Sequence, residues 1–172
     1  MFRNADDPAN IREQDSETPW LTTETIGFMA QTKGPWCLHL SYIKPHWPYI
    51  VPAPYHNMFG PEHVPPALRE EVELENPHPV YGAYQGNKIA SAFQREEVRD
   101  KVIPAYMGLI KQCDDQLGRL LDHLEETDTL NDTMIVLTSD HGDYLGDHWL
   151  GEKDLFHEQS VKVPLIIYDP RE

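Results

Sequence analysis

TMIVLTSDHGDYLGDHWLGEKDLFHEQSVKVPLIIY, residues 133–168, begins and ends on a short apolar run and holds a polar cluster between them. Asn131-Asp132 supplies a turn ahead of it. Thr133 to Ser139 (TMIVLTS) and Val163 to Tyr168 (VPLIIY) are short and apolar, which predicts two buried strands. Upstream, Trp36 to Tyr42 (WCLHLSY), bounded by Gly34-Pro35, predicts a third. Between them lies the clearest helix, from about Glu96 to Glu126. Its residues Tyr106, Leu109, Ile110, Cys113, Leu117, Leu120, Leu121 and Leu124 recur at spacings of three and four and form one apolar stripe. Pro104 kinks this helix or marks the first turn of its main part. Strand, helical crossover and strand make an α/β pattern, with a mostly parallel sheet flanked by helices.

Further out, residues 1–19 are polar, carry Pro8 and Pro19, and read as an extended lead-in. Thr22 or Thr23 is placed to cap a short helix through about Lys33, with Ile26, Met29 and Ala30 on its inner face. Residues 43–94 hold most of the prolines, in KPHWPY, VPAPYH, VPPAL and NPHP. A long irregular connection of this kind is a functional loop or lid, or else a linker between domains. The length suits one domain over residues 1–172, with 43–94 as its proline-rich active-site loop region.

Bulk composition narrows the partners. Net charge is −15, from 14 basic against 29 acidic residues, which argues against nucleic acid or an anionic membrane surface. An enzyme of anionic esters would need a local cation to reverse that field. No apolar run approaches the roughly 20 residues of a membrane span. The N-terminal MFRNADDPANIREQDS lacks the apolar core of a signal peptide, so a cytoplasmic location is expected. Cys37 and Cys113 are too far apart for a zinc knuckle or a disulfide framework and read as buried free thiols. His39, on the first predicted strand, reads as a core histidine.

In an open parallel sheet, ligands bind beyond the carboxyl ends of the strands. The Met134–Leu137 strand delivers Asp140-His141 there, followed by Gly142, and the Cys37–Leu40 strand delivers Lys44-Pro45-His46. Carboxylate and imidazole are both good ligands for a divalent ion, and Gly142 would let the backbone turn sharply enough for both to face one ion. A capping Asp beside a surface His is the competing reading. Asp143, Asp147 and His148 add potential ligands, with Asp147 and His148 either holding a second ion or simply fixing a loop. Lys153 is an anion clamp in an acidic chain, or a surface lysine. His46, held between Pro45 and Trp47-Pro48, suits general acid work or a hydrogen bond to a developing oxyanion, or else packs as an aromatic-proline corner. Asp114-Asp115 reads as a solvated helix face. Cys37 is no credible nucleophile, and no G-x-S-x-G, P-loop or H-E-x-x-H motif is present.

Taken together, residues 133–170, the helix segment CDDQLGRLLDHLEET and the loop LHLSYIKPHWPYIVPAPYHNMF resemble the sulfatase branch of the alkaline phosphatase superfamily. Phosphonate monoester hydrolases and their arylsulfatase relatives are the nearest likeness. The resemblance implies a partial alkaline-phosphatase-like sandwich. It implies Asp140 and His141 as ligands of a divalent metal ion (calcium, manganese or magnesium) and His46 and Lys153 as catalytic residues. His46 would contact the leaving group or ester oxygens, and Lys153 would bind the sulfate or phosphate. The substrate would be a small-molecule sulfate or phosphate/phosphonate ester, attacked by a metal-bound formylglycine made from Cys or Ser in a C/S-x-P-S/A-R motif. That motif is not in these residues, and Asp6-Asp7 has no apolar strand before it. The chain is therefore expected to be a C-terminal portion, inactive alone. The alternative is a non-catalytic metal- or anion-binding module, or a structural remnant whose exposed sheet edges favour oligomerisation.

Overall fold

The computed structural model describes residue 2 and residues 4–171. Its elements are α1 (Glu17–Gln31), α2 (Pro79–Gln85), α3 (Lys88–Phe93), α4 (Glu96–Glu126), β1 (Ile135–Thr138), α5 (Glu158–Val161) and β2 (Leu165–Tyr168), with short 3-10 turns in the connections. No helix among the described residues is long and apolar enough to cross a membrane.

α4 takes the span read from its periodicity and runs on across Pro104. Glu96 and Glu97 stand in its first turn, where carboxylates suit the positive end of the helix dipole. Its packed face differs from the expected stripe. Val98, Val102, Ala105, Leu109, Gln112 and Gln116 are buried, whereas Ile110 and Leu121 are exposed. Burying two glutamines is tolerable because both amides find partners. Gln112 Nε2 donates to Ser16 Oγ at 2.9 Å, and Gln116 Nε2 donates to Glu13 Oε1 at 3.2 Å.

The facing helix is equally polar at the contact. α1 buries Thr18, Thr22 and Thr25 against α4, and the expected inner residue Ala30 is exposed. Thr22 Oγ1 donates to the Thr18 carbonyl at 2.9 Å, so the hydroxyl is satisfied inside the helix. α1 starts at Glu17, inside the expected lead-in, because Pro19 falls in the first turn, where backbone N–H groups have no helical acceptor anyway.

The core joins α4 to the proline-rich stretch. Tyr49, Val51 and Tyr55 pack with Ala5, Phe93, Val98, Val102, Ala105 and Leu109. Gly108 permits this close approach, since a side chain there would meet the Tyr55 carbonyl. Tyr55 OH donates to Asp115 at 2.9 Å, which takes this carboxylate out of the purely solvated role expected for it. The irregular connection ends earlier than expected, because α2 and α3 follow. Asn87 caps α3 by accepting from Ile89 N–H and Ala90 N–H at 2.9 and 2.8 Å.

The two strands flanking the polar cluster form as expected, but they pair antiparallel, with Ile135 opposite Tyr168 and Thr138 opposite Leu165. A parallel pair needs a long crossover to return the chain to the same end. The connection between these strands holds a 3-10 turn at Asp147–Trp149 and the single turn of α5 but no helix long enough to carry the chain back along the sheet, and it returns beside its own exit. Trp36 to Tyr42 forms no regular element and pairs with no strand among the described residues. Cys37 and His39 are consequently exposed, not buried as expected. β2 is exposed along its whole length, so its apolar sequence faces no core among the described residues.

Candidate active site

Chain leaving β1 at Thr138 turns at once through Ser139, Asp140 and His141. Ser139 Oγ donates to the His141 carbonyl at 2.9 Å, and His141 N–H donates to Asp140 Oδ1 at 2.9 Å. His141 Nδ1 lies 2.8 Å from the Gly142 carbonyl. A carbonyl only accepts, so Nδ1 carries the proton and Nε2 keeps its lone pair. That Nε2 lies 3.6 Å from Asp140 Oδ2, which brings the two donor atoms onto one spot. Desolvation alone would raise the Asp140 carboxyl. The proximity of His141 and the hydrogen bonds from the backbone and Ser139 outweigh it and hold the group below the usual carboxylate range.

Gly142 is needed for a different reason from the one expected. Its φ is not in the left-handed region; instead a methyl there would run into the Gln159 carbonyl oxygen. Its N–H donates to the carbonyl of buried Ser160 at 2.8 Å. Ser160 Oγ in turn donates to the Lys153 carbonyl at 2.6 Å, which ties the lysine's backbone to the turn that bears His141.

His46 and Lys153 meet here. Lys153 Nζ lies 2.7 Å from His46 Nε2. His46 Nδ1 faces the Trp47 carbonyl at 2.9 Å, so it too carries its proton on Nδ1 and accepts the lysine at Nε2. The His46 and His141 rings sit 5.9 Å apart, edge to face. Lys44 braces the loop by donating to the Pro48 carbonyl at 2.9 Å and the His46 carbonyl at 3.3 Å, and desolvation lowers its own pKa. Thus all four residues singled out in the sequence, Asp140, His141, His46 and Lys153, stand in one neighbourhood.

The other candidates are engaged elsewhere. Asp147 accepts from Leu68 N–H at 2.9 Å and from Gln159 at 3.1 Å, while His148 pairs with Glu73 at 2.6 Å and stacks on His157 with centroids 4.3 Å apart. These contacts fix loops. No group of three or more His, Cys, Asp or Glu side chains among the described residues could hold a metal ion. Burial pushes the Cys113 thiol up to about 11, which leaves it protonated and inert.

Three features escaped the sequence. Tyr49 OH donates to Asp143 Oδ2 at 2.6 Å and joins the His46 loop to the His141 turn. Desolvation raises the Asp143 carboxyl despite the bonds from Tyr49, Leu145 and Glu152 that oppose it. Leu145, His148, Trp149 and Glu152 all have positive φ, a concentration of backbone strain beside the site. Arg99 donates to the Leu145 carbonyl at 3.2 Å and Arg69 to the Gly146 carbonyl at 3.4 Å, and both pair with Glu96. The strained loop is thereby held down on α4. A proline-flanked tyrosine was the one available hint of the first link.

Comparison with known proteins shows the family and the fold. A family model described as Sulfatase matches residues 3–172. The multifunctional alkaline phosphatase superfamily protein PehA of Trinickia caryophylli is 34% identical, over 95% of this chain and 34% of that protein. An arylsulfatase of Clostridium perfringens is 32% identical, over 95% of this chain and 34% of its own length. The solved phosphonate monoester hydrolase of Silicibacter pomeroyi superposes with a TM-score of 0.88 at 33% identity, covering 96% of this chain and 35% of that one. The α/β, alkaline-phosphatase-like architecture is therefore shared, and the chain spans about a third of the length of the relatives it matches.

Proposed function

The chain belongs to the sulfatase family, and from that premise we propose that Asp140, His141, His46 and Lys153 are the metal- and anion-binding part of a site that hydrolyses sulfate or phosphate/phosphonate esters. The pairing of Lys153 with His46 at 2.7 Å, one ring away from His141, carries this reading.

The family generally uses a divalent metal and a formylglycine. Asp140 and His141 fit such a metal by their chemistry. One offers a hard carboxylate oxygen, and the other an Nε2 lone pair fixed by a hydrogen bond from the opposite ring nitrogen. Two donors do not fill a coordination shell, so further ligands must join them. When bound, the ion would supply Lewis acidity toward the ester oxygens.

Lys153 would bind those oxygens directly. Opposite unit charges about 4 Å apart are worth on the order of 4 kcal/mol at an effective dielectric near 20, enough for a local cation to counter the repulsion of an acidic chain. His46, already oriented through Nδ1, would be protonated at Nε2 from solvent, with Lys153 turned to the ester oxygens, and give that proton to the leaving-group oxygen. Because no Cys/Ser-x-Pro-Ser/Ala-Arg stretch occurs in these 172 residues, the chain is expected to bind metal and anion without turning esters over.

Calorimetry with magnesium, manganese and calcium tests the first half of this reading, comparing the wild type with Asp140→Ala and His141→Ala. Binding lost in both variants supports it, and binding unchanged in both overturns it. Turnover of an aryl sulfate or an aryl phosphonate monoester by the pure chain would overturn the second half. The other reading, a binding module with no catalytic part, is favoured by the same missing motif. It would be excluded if supplying a formylglycine-bearing partner polypeptide restored turnover dependent on Lys153.

A further inference from the structure

One carboxylate touches all three stretches that build the site. Asp143 Oδ2 accepts from Tyr49 OH at 2.6 Å, and Oδ1 accepts from the backbone N–H groups of Leu145 and Glu152 at 3.1 and 3.2 Å. Tyr49 follows His46 by three residues, Asp143 follows His141 by two, and Glu152 immediately precedes Lys153. Tyr49 is itself fixed. It is buried, and its ring packs on those of Phe2, Phe93 and Tyr106 at 5.7, 6.1 and 6.1 Å.

We propose that Asp143, acting through Tyr49, is a positioning residue that sets the separation of His46 and His141 and keeps Lys153 within reach of His46. This rests on the reading of those residues as a metal and anion site. Other bonds near the turn do not do this job. The Gly142–Ser160 and Tyr144–Glu152 backbone bonds lace the His141 turn to the Lys153 loop, but neither reaches the stretch that bears His46. Lys44 braces that stretch only against itself. Apart from the contact between His46 and Lys153, the Tyr49–Asp143 bond is the one hydrogen bond among those described that joins the two sides. Asp143 touches neither of the two donor groups assigned to the metal, so its role is one of geometry. Displacements of about 1 Å at such a site are enough to cost it its function.

Three variants of the 172-residue chain separate this role from general stability. Tyr49→Phe keeps the ring in the core and deletes only the donor. Asp143→Ala removes all three bonds, and Asp143→Asn keeps the shape and can still bond to Tyr49 and the backbone. The readout is the long-range ¹H–¹⁵N spectrum of the imidazoles, which reports the tautomer of His46 and His141, followed during titration with inorganic sulfate. Tyr49→Phe and Asp143→Ala are expected to move His46 from the Nδ1–H pattern toward an averaged one and to weaken sulfate binding by about tenfold. Asp143→Asn is expected to restore both. If Asp143→Ala fails to fold, Tyr49→Phe decides. A folded Tyr49→Phe whose His46 and His141 signals coincide with the wild type overturns the proposal, as does an Asp143→Asn variant that rescues nothing. If sulfate leaves the wild-type His46 signals unmoved, the anion-site reading fails, while the response to Tyr49→Phe still decides the positioning role.

Discussion

Lys153 Nζ lies 2.7 Å from His46 Nε2, and 107 residues of sequence separate the two. With His46 Nδ1 committed to the Trp47 carbonyl, the lysine spends one of its three N–H donors on the ring and keeps two for an incoming anion. Lys153→Met is therefore expected to weaken inorganic sulfate and phosphate binding by about tenfold, near 1.4 kcal/mol. Lys153→Arg is expected to recover only part of this, since a planar fork does not replace a compact ammonium. Calorimetry at one fixed ionic strength measures both. Equal affinity in the wild type and Lys153→Met would remove the lysine from the site.

Gly142 sits against the Gln159 backbone with no room for a side chain. Gly142→Ala must push the His141 turn away from α5 or break the Gly142–Ser160 bond. The expected loss is about 1–3 kcal/mol, as for other overpacked positions. At about 2–4 °C per kcal/mol for a chain of this size, thermal unfolding should fall by several degrees. A melting curve unchanged within error would mean that the turn adapts freely.

The order in which these features could be read follows from their physical range. Leu109 and its neighbours announce α4 because helix periodicity is local, yet which face packs was decided by Ser16 and Glu13, which receive the amides of Gln112 and Gln116 from far away in sequence. Asp140-His141 stood out because it directly follows a strand-forming run, which is a local signal. His46 was reached through a strand at Trp36 to Tyr42 that does not form, although the fold still brings its ring beside His141. The Tyr49–Asp143 bond was not legible, since the proline beside Tyr49 and the acidic cluster around Asp143 say nothing of a pairing across 94 residues. Strand direction was likewise out of reach. It depends on the path of the connection between Ser139 and Pro164, and apolar runs look the same whichever way they pair.

His157 offers a pH-dependent observable away from the four site residues. Its ring stacks on His148 at 4.3 Å, His148 is paired with Glu73, and Tyr144 OH lies 2.9 Å from His157 Nδ1. Desolvation first, and then the proximity of His148, hold the His157 pKa below its ordinary 6.5, with Glu73 opposing them. The unfolded chain thus takes up this proton near pH 6.5, and the folded chain only at lower pH. Between those values the unfolded state binds more protons, so stability is complete above about pH 6.5 and declines as pH falls below it. His157→Gln should flatten that decline in the thermal unfolding midpoint as pH falls below about 6.5. An identical slope in the variant would assign the dependence to other groups.

β2 carries Leu165, Ile166 and Ile167 at 66%, 62% and 57% exposure, and its partner β1 leaves Val136 at 55%. A two-stranded ribbon with apolar side chains in water and free backbone donors and acceptors along its edges is a template for adding strands. The isolated chain is therefore expected to self-associate, with an apparent mass by light scattering that rises with concentration. Lysine at such positions resists edge pairing by placing a charge where a partner strand would desolvate it. The double variant Val136→Lys, Ile166→Lys should stay monomeric at concentrations where the wild type associates. Its thermal unfolding should change little, because both side chains already lie largely in water. A wild type that remains a monodisperse monomer across the same range would show that the ribbon's bare faces drive no association.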